Sequence, residues 1–354
     1  MKRGLIEVDE KFMYRAISLA RLGMGNVAPN PMVGCVIVHQ GAIIGEGYHR
    51  EYGKSHAEVN AINSVKNKAL LKDSTLYVTL EPCSHHGKTP PCSDLILRSG
   101  IPDVVVGTGD PFAQVAGRGI EKLRNGGCNV SVGVLEAACI AMNRRFFSFH
   151  QKKRPYIILK WAQTADGFID IDRSHEHYGQ PTWITNDLSR MAVHKMRADE
   201  SAILVGTNTA NKDNPSLTVR EWSGNSPLRL VIDKDMKLSA GLALFDQRVP
   251  TVVYTAQAAS GKDNLEFRQI LFNGSELDQI LIDLHRRGVL SLIVEGGQIM
   301  LNSFILRNLW DEARVFTGKC NFFTGVKAPS FDANLVKSEE LDDSWMFVFE
   351  LPHF

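Results

Sequence analysis

No run of 18 apolar residues occurs in the 354-residue chain, so nothing in it reads as a membrane-spanning helix. Charge of one sign is equally scarce. Forty basic side chains against 39 acidic ones leave a formal charge of +1, with no global field to draw in nucleic acid or a membrane surface. An anionic ligand must then be held locally. Cysteines number six, too few and too scattered in a chain with no secretory signal for a disulfide framework. Internal repeats, low-complexity tracts, Walker loops and a G-x-G-x-x-G after a strand are all absent. The opening "MKRGLIEVDEKFMYRAISLA" carries acids where a signal peptide would be apolar, so a cytoplasmic protein is expected.

What is present is 44% hydrophobic and 22% charged, an ordinary globular composition, at a length that suits two domains. From Asp9, "DEKFMYRAISLARLGMGN" has helical apolar spacing, and a hairpin around Gln40-Gly41 and a second helix in "HAEVNAINSV" follow. "STLYVTLEPC", "DVVVGTGDP" and "NVSVGVL" read as strands, alternating with helices in "PPCSDLILRSG", "GRGIEKLRNGG" and "EAACIAMNRRFFSFHQ". That alternation argues for a three-layer α/β domain with a partly parallel sheet over 1–152, closed at "KKRP". A second α/β domain over 153–354 has strands at "YIILKWAQTADGFI", "SAILVG", "LRLVID", "TVVYT", "SLIVEGG", "EARVFT" and "WMFVFEL", with helices at "WITNDLSRMAVHKMRA", near 277–287 and at "QIMLNSFILRNL". Thr185 or Asn186 suits the N-cap of the first of these helices.

Cys35, Cys128, Cys139 and Cys320 read as buried small hydrophobes, whereas Cys83 and Cys92 flank "SHHGKTPP" at a strand-end turn and a helix start. With His56 they supply three donors for a catalytic zinc, which leaves one position open for water. Glu58 would be the proton carrier, although two residues of regular helix turn about 200° and would aim it away from the metal. Taken alone, H-x-E is equally an ordinary pair of polar residues on a helix's first turn. A structural zinc knot with His85 or His86 as fourth ligand is the non-enzymatic alternative. Zinc nucleobase deaminases carry H-x-E followed by P-C-x-x-C, and the chain resembles them through "HAE" and "EPC". Eight residues stand between its cysteines instead of two, which argues against a cytidine or tRNA-adenosine deaminase.

"NPMVGCVIV", "HAEVNAI", "YVTLEPCSHHGKTPPC", "VAGRG", "LKWAQTADGFI", "WIT", "ILVGTNTANKDNPSLTVR" and "VEGG", in that order, resemble the bifunctional riboflavin-biosynthesis deaminase/reductases across almost the whole chain. The resemblance implies a cytidine-deaminase-like domain that deaminates 2,5-diamino-6-ribosylamino-4(3H)-pyrimidinone 5′-phosphate. It implies, second, a dihydrofolate-reductase-like domain that uses NADPH to reduce the ribosyl group of the resulting aminouracil to ribityl. A deaminase with a degenerate second domain is the competing reading.

By the same resemblance Asn30 and Lys88 contact the deaminase substrate, and Lys160, Arg197, Leu217, Arg220 and Glu295 the reductase substrate, with Arg197 and Arg220 on its phosphate. Gln163, Trp183, Thr209, Asp213 and Gly297 fall at NADP-facing positions, and Lys234 is placed to meet a 2′-phosphate or to face solvent. The sequence departs from the family at "TADG", at Pro181, where a substrate-contacting serine is common, at Lys234 and at "FTGKCNFFTG". A small phosphorylated pyrimidine is thus the expected partner, with neither nucleic acid nor membrane, and a homo-oligomer is left open.

Overall fold

Alternating apolar residues build the core of the first half, because successive side chains on a strand face opposite sides. In the computed structural model, which describes residues 9–85, 90–112, 116–173, 178–179 and 182–351, the chain divides into two compact units, 1–152 and 153–354. The first contains α1 (Glu10–Ala20), β1 (Gly34–His39), β2 (Ala42–Tyr48), α2 (Ala57–Ser64), β3 (Thr75–Leu80), α3 (Cys92–Arg98), β4 (Asp103–Thr108), α4 (Arg118–Asn125), β5 (Asn129–Val132), α5 (Glu136–Met142) and α6 (Arg144–Lys152). Its sheet runs β2-β1-β3-β4-β5, antiparallel across the hairpin and at β1/β3, then parallel. Cys35 and Ile37 of β1, Leu76 and Val78 of β3, and Val104 and Val106 of β4 pack with α2 and α3 on one face. The alternate residues Val36, Val38, Tyr77 and Val105 pack with α1 and α5 on the other. These are the three layers that the alternation of strands and helices implies.

Asp9 caps α1 by accepting the Lys11 N–H at 3.0 Å. The last helix of the unit departs from the expectation of one continuous helix: it breaks at Asn143 into α5 and α6. The Asn143 side chain explains the break, since it donates to the Met32 carbonyl at 2.8 Å and accepts the Met32 N–H at 2.9 Å, both buried.

The second unit contains β6 (Tyr156–Gln163), β7 (Phe168–Asp170), α7 (Asp187–Asp199), β8 (Ala202–Gly206), α8 (Thr207–Asp213), β9 (Leu228–Ile232), β10 (Thr251–Thr255), β11 (Leu265–Gln269), α9 (Glu276–Arg286), β12 (Ser291–Glu295), α10 (Gln298–Leu306), β13 (Glu312–Thr317), β14 (Val326–Lys327), β15 (Asn334–Leu341) and β16 (Ser344–Glu350). The large sheet has the order β11-β10-β9-β8-β12-β6-β13-β16-β15, parallel from β11 to β13 and antiparallel at its β16/β15 edge. Because β12 inserts between β8 and β6, the carboxyl ends of these three strands meet at a topological switch point, the usual place for a ligand crevice in such sheets. Asn186 is the N-cap of α7, accepting from Ser189 N–H at 2.9 Å. Of the four cysteines expected in cores, Cys35, Cys128 and Cys139 are buried, but Cys320 is exposed, in the turn beyond β13. None of the described helices is long and apolar enough to cross a membrane.

Candidate active sites

The first site forms where β3 ends and α2 and α3 begin. His56 is the N-cap of α2, in extended conformation at φ −70°, ψ 165°, so it lies outside the helix that contains Glu58. The 200° objection therefore lapses: with His56 outside the helix, Glu58 can still lie beside the Cys92 side chain. Cys92 opens α3 and Cys83 lies in the turn after β3. His56 Nδ1 is 3.6 Å from Cys83 Sγ and 3.3 Å from Cys92 Sγ, and the three donor atoms all lie within 4.8 Å of one another. Tetrahedral zinc, with bonds of about 2.1 Å to nitrogen and 2.3 Å to sulfur, would space its donors by about 3.6 Å. The residues fit such an ion, and among the described residues no fourth side chain joins them. His86 lies outside the described residues.

The Cys92 backbone N–H donates to Cys83 Sγ at 3.3 Å, an interaction that favours a thiolate. The two thiols titrate together: their mutual hydrogen bond holds Cys83 well below the usual thiol range and pushes Cys92 above it. Glu58 is buried, and burial, then the Cys83 charge, raises its carboxyl to about 7.

Around these residues stand groups that the sequence named only in part. Asn30 Nδ2 lies 3.1 Å from His49 Nε2, and His49 Nδ1 lies 3.1 Å from the Ser55 carbonyl. One tautomer satisfies both: Nδ1–H donates to the carbonyl and Nε2 accepts from the amide, which fixes how Asn30 is presented. Asp110, after β4, is raised to about 6, chiefly by burial. Lys88 lies outside the described residues.

Glu81 of "TLEPC" is buried and accepts backbone N–H groups from Gly117 at 2.9 Å, Gly119 at 2.8 Å, Ile120 at 3.3 Å and Asp110 at 3.3 Å. It thereby satisfies the open N-terminus of α4. The glycines of "VAGRG" follow from this arrangement. Gly117 sits at φ +78°, and a Cβ on Gly119 would lie 1.9 Å from the Pro82 carbonyl oxygen. Two separated motifs thus hold one turn, the one that carries Cys83.

The second site is a cavity of about 1030 Å³ at the switch point of the large sheet. Lys160 and Glu295 are direct neighbours in the β6/β12 register, and Lys160 Nζ donates to Glu295 Oε1 at 2.7 Å. Arg197, from α7, donates from Nη2 to the other oxygen, Oε2, at 3.0 Å and from Nη1 to the Thr218 carbonyl at 3.3 Å. Burial opposes the Glu295 charge, but Arg197 and Lys160 outweigh it and hold the carboxyl at about 2. At the mouth, Trp183 is exposed with the Arg190 guanidinium 4.9 Å from its ring centre.

Asp213 accepts from Arg173 Nη2 at 2.6 Å, and Arg173 also grips Asp170 and the Lys212 carbonyl. The Gly297 N–H donates to Thr209 Oγ1 at 3.1 Å, and a Cβ at Gly297 would find nothing nearer than that oxygen at 3.7 Å. The backbone there is open to a close-lying ligand, and the cavity is large enough for a dinucleotide with a small substrate.

Lys160, Trp183, Arg197, Thr209, Asp213, Arg220, Glu295 and Gly297 all line this cavity; Gln163, Leu217 and Lys234 do not. Gln163 Oε1 accepts from Trp161 Nε1 at 2.9 Å, Leu217 is buried in the core at φ +54°, and Lys234 is exposed with its ammonium 5.7 Å from the Phe272 ring centre. Pro181 lies outside the described residues. The sequence missed Asp170, Arg173 and His194, which also line the cavity. A strand-end aspartate, a loop arginine and a helical histidine carry no local signal of where they point.

Residues 6–108 match the cytidine and deoxycytidylate deaminase zinc-binding region, and residues 155–335 match the RibD C-terminal domain. The riboflavin biosynthesis protein RibD of Aquifex aeolicus is 42% identical over 88% of this chain and 86% of its own, and that of Escherichia coli 36% identical over 87% of each. The crystal structure of a diaminohydroxyphosphoribosylaminopyrimidine deaminase/5-amino-6-(5-phosphoribosylamino)uracil reductase from Thermotoga maritima superposes with a TM-score of 0.87 at 39% identity, covering 97% of this chain and 98% of that one. RibD from Acinetobacter baumannii, at 28% identity, also gives 0.87, over 97% and 99% of the two chains. The chain belongs to the RibD family of bifunctional riboflavin-biosynthesis deaminase/reductases, enzymes that work with zinc and NADPH.

Proposed function

We propose that the two activities are divided at residue 152, with deamination in residues 1–152 and reduction in residues 153–354. His56, Cys83 and Cys92 hold the zinc, which when bound supplies Lewis acidity and an activated water at neutral pH. Glu58 carries one proton from the attacking water to the ring nitrogen, and then a second, from the hydroxyl so added to the ring carbon, to the departing ammonia as the C–N bond breaks. Asn30, presented by His49, orients the pyrimidine, and the family resemblance assigns Lys88 a contact with the same substrate.

In the second unit NADPH supplies the hydride, and Thr209, Asp213, Trp183 and Gly297 lie on the wall that receives it. Arg197 and Arg220 face the substrate phosphate. Lys160, held against Glu295, would donate to the ribosyl oxygen as charge develops on it with ring opening. The enzyme acts in the cytoplasm on a small phosphorylated pyrimidine, without nucleic acid.

The observation that carries this reading is the convergence of His56, Cys83 and Cys92 on one point, with Glu58 buried two residues from the first of them. A coupled assay tests it: purified enzyme given the diamino substrate and NADPH releases ammonia and then oxidises NADPH in equal amounts. Ammonia without any fall in absorbance at 340 nm would return the second unit to the degenerate reading.

A further inference from the structure

His194 was singled out by neither the motifs nor the chemistry above, yet it is 3% exposed and lines the reductase cavity. It sits on α7 three residues before Arg197, so the two side chains share a helix face. Its Nδ1 accepts the Arg220 backbone N–H at 3.1 Å. Burial first, then the Arg197 and Arg220 charges, lower its pKa and keep the ring neutral. A neutral imidazole has one N–H, and with the Nδ1 lone pair engaged the proton is on Nε2. Among the described residues that N–H has no hydrogen-bond partner.

The neighbouring cationic groups are committed in a way that leaves an opening for an anion. Arg197 spends its terminal nitrogens on Thr218 and Glu295, while its Nε is buried without a partner. Arg220 reaches only the hydroxyls of Ser216 and Thr218. The nearest acids are occupied or peripheral: Glu295 is bound by Lys160 and Arg197, and Glu221 lies 3.6 Å from Arg190. The Arg220 guanidinium, which among the described residues meets only neutral hydroxyls, and the His194 N–H, which meets no acceptor there, line one cavity with Arg197 and together suit a tetrahedral group with several acceptor oxygens.

We propose that His194 Nε2–H is a third donor to the phosphate monoester of the reductase substrate, beside Arg197 and Arg220. This rests on the reading of those arginines as phosphate contacts. The other role open to His194 is to anchor the Arg220 backbone through Nδ1, and amide variants separate the two. Asparagine places an amide where Nδ1 sits, and glutamine places one where Nε2 sits.

Full-length His194→Asn, His194→Gln and Arg220→Met are assayed by NADPH oxidation against concentration of the deaminated, phosphorylated substrate, and by inhibition with inorganic phosphate. His194→Asn should raise the substrate KM about ten- to a hundredfold, the loss of one hydrogen bond to a charged group, and weaken phosphate inhibition in parallel. The KM for NADPH should stay unchanged, and His194→Gln should recover most of the loss. An Asn variant no worse than the Gln variant would overturn the proposal in favour of the anchoring role. If Arg220→Met left both substrate KM and phosphate inhibition at wild-type values, the underlying phosphate reading would fall instead.

Discussion

The two sites of this chain are built on opposite plans. The zinc site draws its donors from residues 56 to 92, at the ends of three consecutive elements, and they converge within 4.8 Å. The reductase cavity gathers side chains from Lys160 to Val326, and its charges are paired with one another: Lys160 and Arg197 with Glu295, Arg173 with Asp170 and Asp213. Metal coordination demands few donors at fixed spacing, whereas a dinucleotide and a sugar phosphate spread many weak contacts over a wide wall. The first site should therefore fail all at once when a residue is changed, and the second by degrees.

Glu58→Gln gives the steepest expected test. Ammonia release should fall about 10²–10⁴-fold, the scale of a lost proton carrier, with zinc content by metal analysis still stoichiometric. Deamination near the wild-type rate would remove Glu58 from the mechanism, and loss of zinc would make it structural. NADPH oxidation with substrate supplied already deaminated should be unaffected, so the two plans separate within one variant.

Lys160→Met should lower kcat/KM for reduction about tenfold to a hundredfold, since Arg197 still faces Glu295 and loss of one charge is partly covered. The pH dependence of the same triad can be read from stability. Glu295 is held at about 2 against an ordinary 4.5, so its charged form stabilises the fold above pH 4.5, and that contribution is lost as pH falls towards 2. The difference in melting temperature between wild type and Glu295→Gln should accordingly be largest above pH 5 and shrink steadily below it. A constant difference from pH 7 to 3 would show that the charge of Glu295 is not what the two cations hold.

Glu81→Gln should cost about 1–3 kcal/mol, read as a lower melting temperature of the deaminase unit, because four backbone donors lose a carboxylate and face an amide. If Glu81 touched substrate instead, deaminase KM would rise without loss of stability. Asn186→Ala should show the smallest effect, about 1 kcal/mol, through loss of the α7 cap. That value is useful as a baseline: α7 carries both His194 and Arg197, and a change in substrate KM from capping alone would measure how far cavity geometry depends on helix stability.

The hairpin at Gln40-Gly41, a cap at Thr185 or Asn186, of which the structure uses Asn186, and the alternation of strands with helices were legible, because each is decided by residues within a few positions of one another. The short α8 and the edge strands β11 and β15 were not, since they owe their conformation to neighbours supplied by distant sequence. Cys320 broke the expectation of apolar neighbours: Lys319 and Asn321 flank it, and the turn after β13 leaves its side chain outside. The break at Asn143 was invisible for a related reason: the partner of its amide is Met32, 111 positions away.

Sequence alone named the chemical groups: a histidine, a glutamate and two cysteines in this order, with eight residues between the thiols, offer metal donors and a carboxyl whose identities do not depend on the fold around them. Tertiary structure decided where they point. It put His56 at the cap and Glu58 inside the helix, and recruited Glu81 to the α4 turn. It also turned His194 into the reductase cavity. Covalent identity is local, but the direction of a side chain and the polarity of its surroundings are set by elements packed against it from elsewhere in the chain.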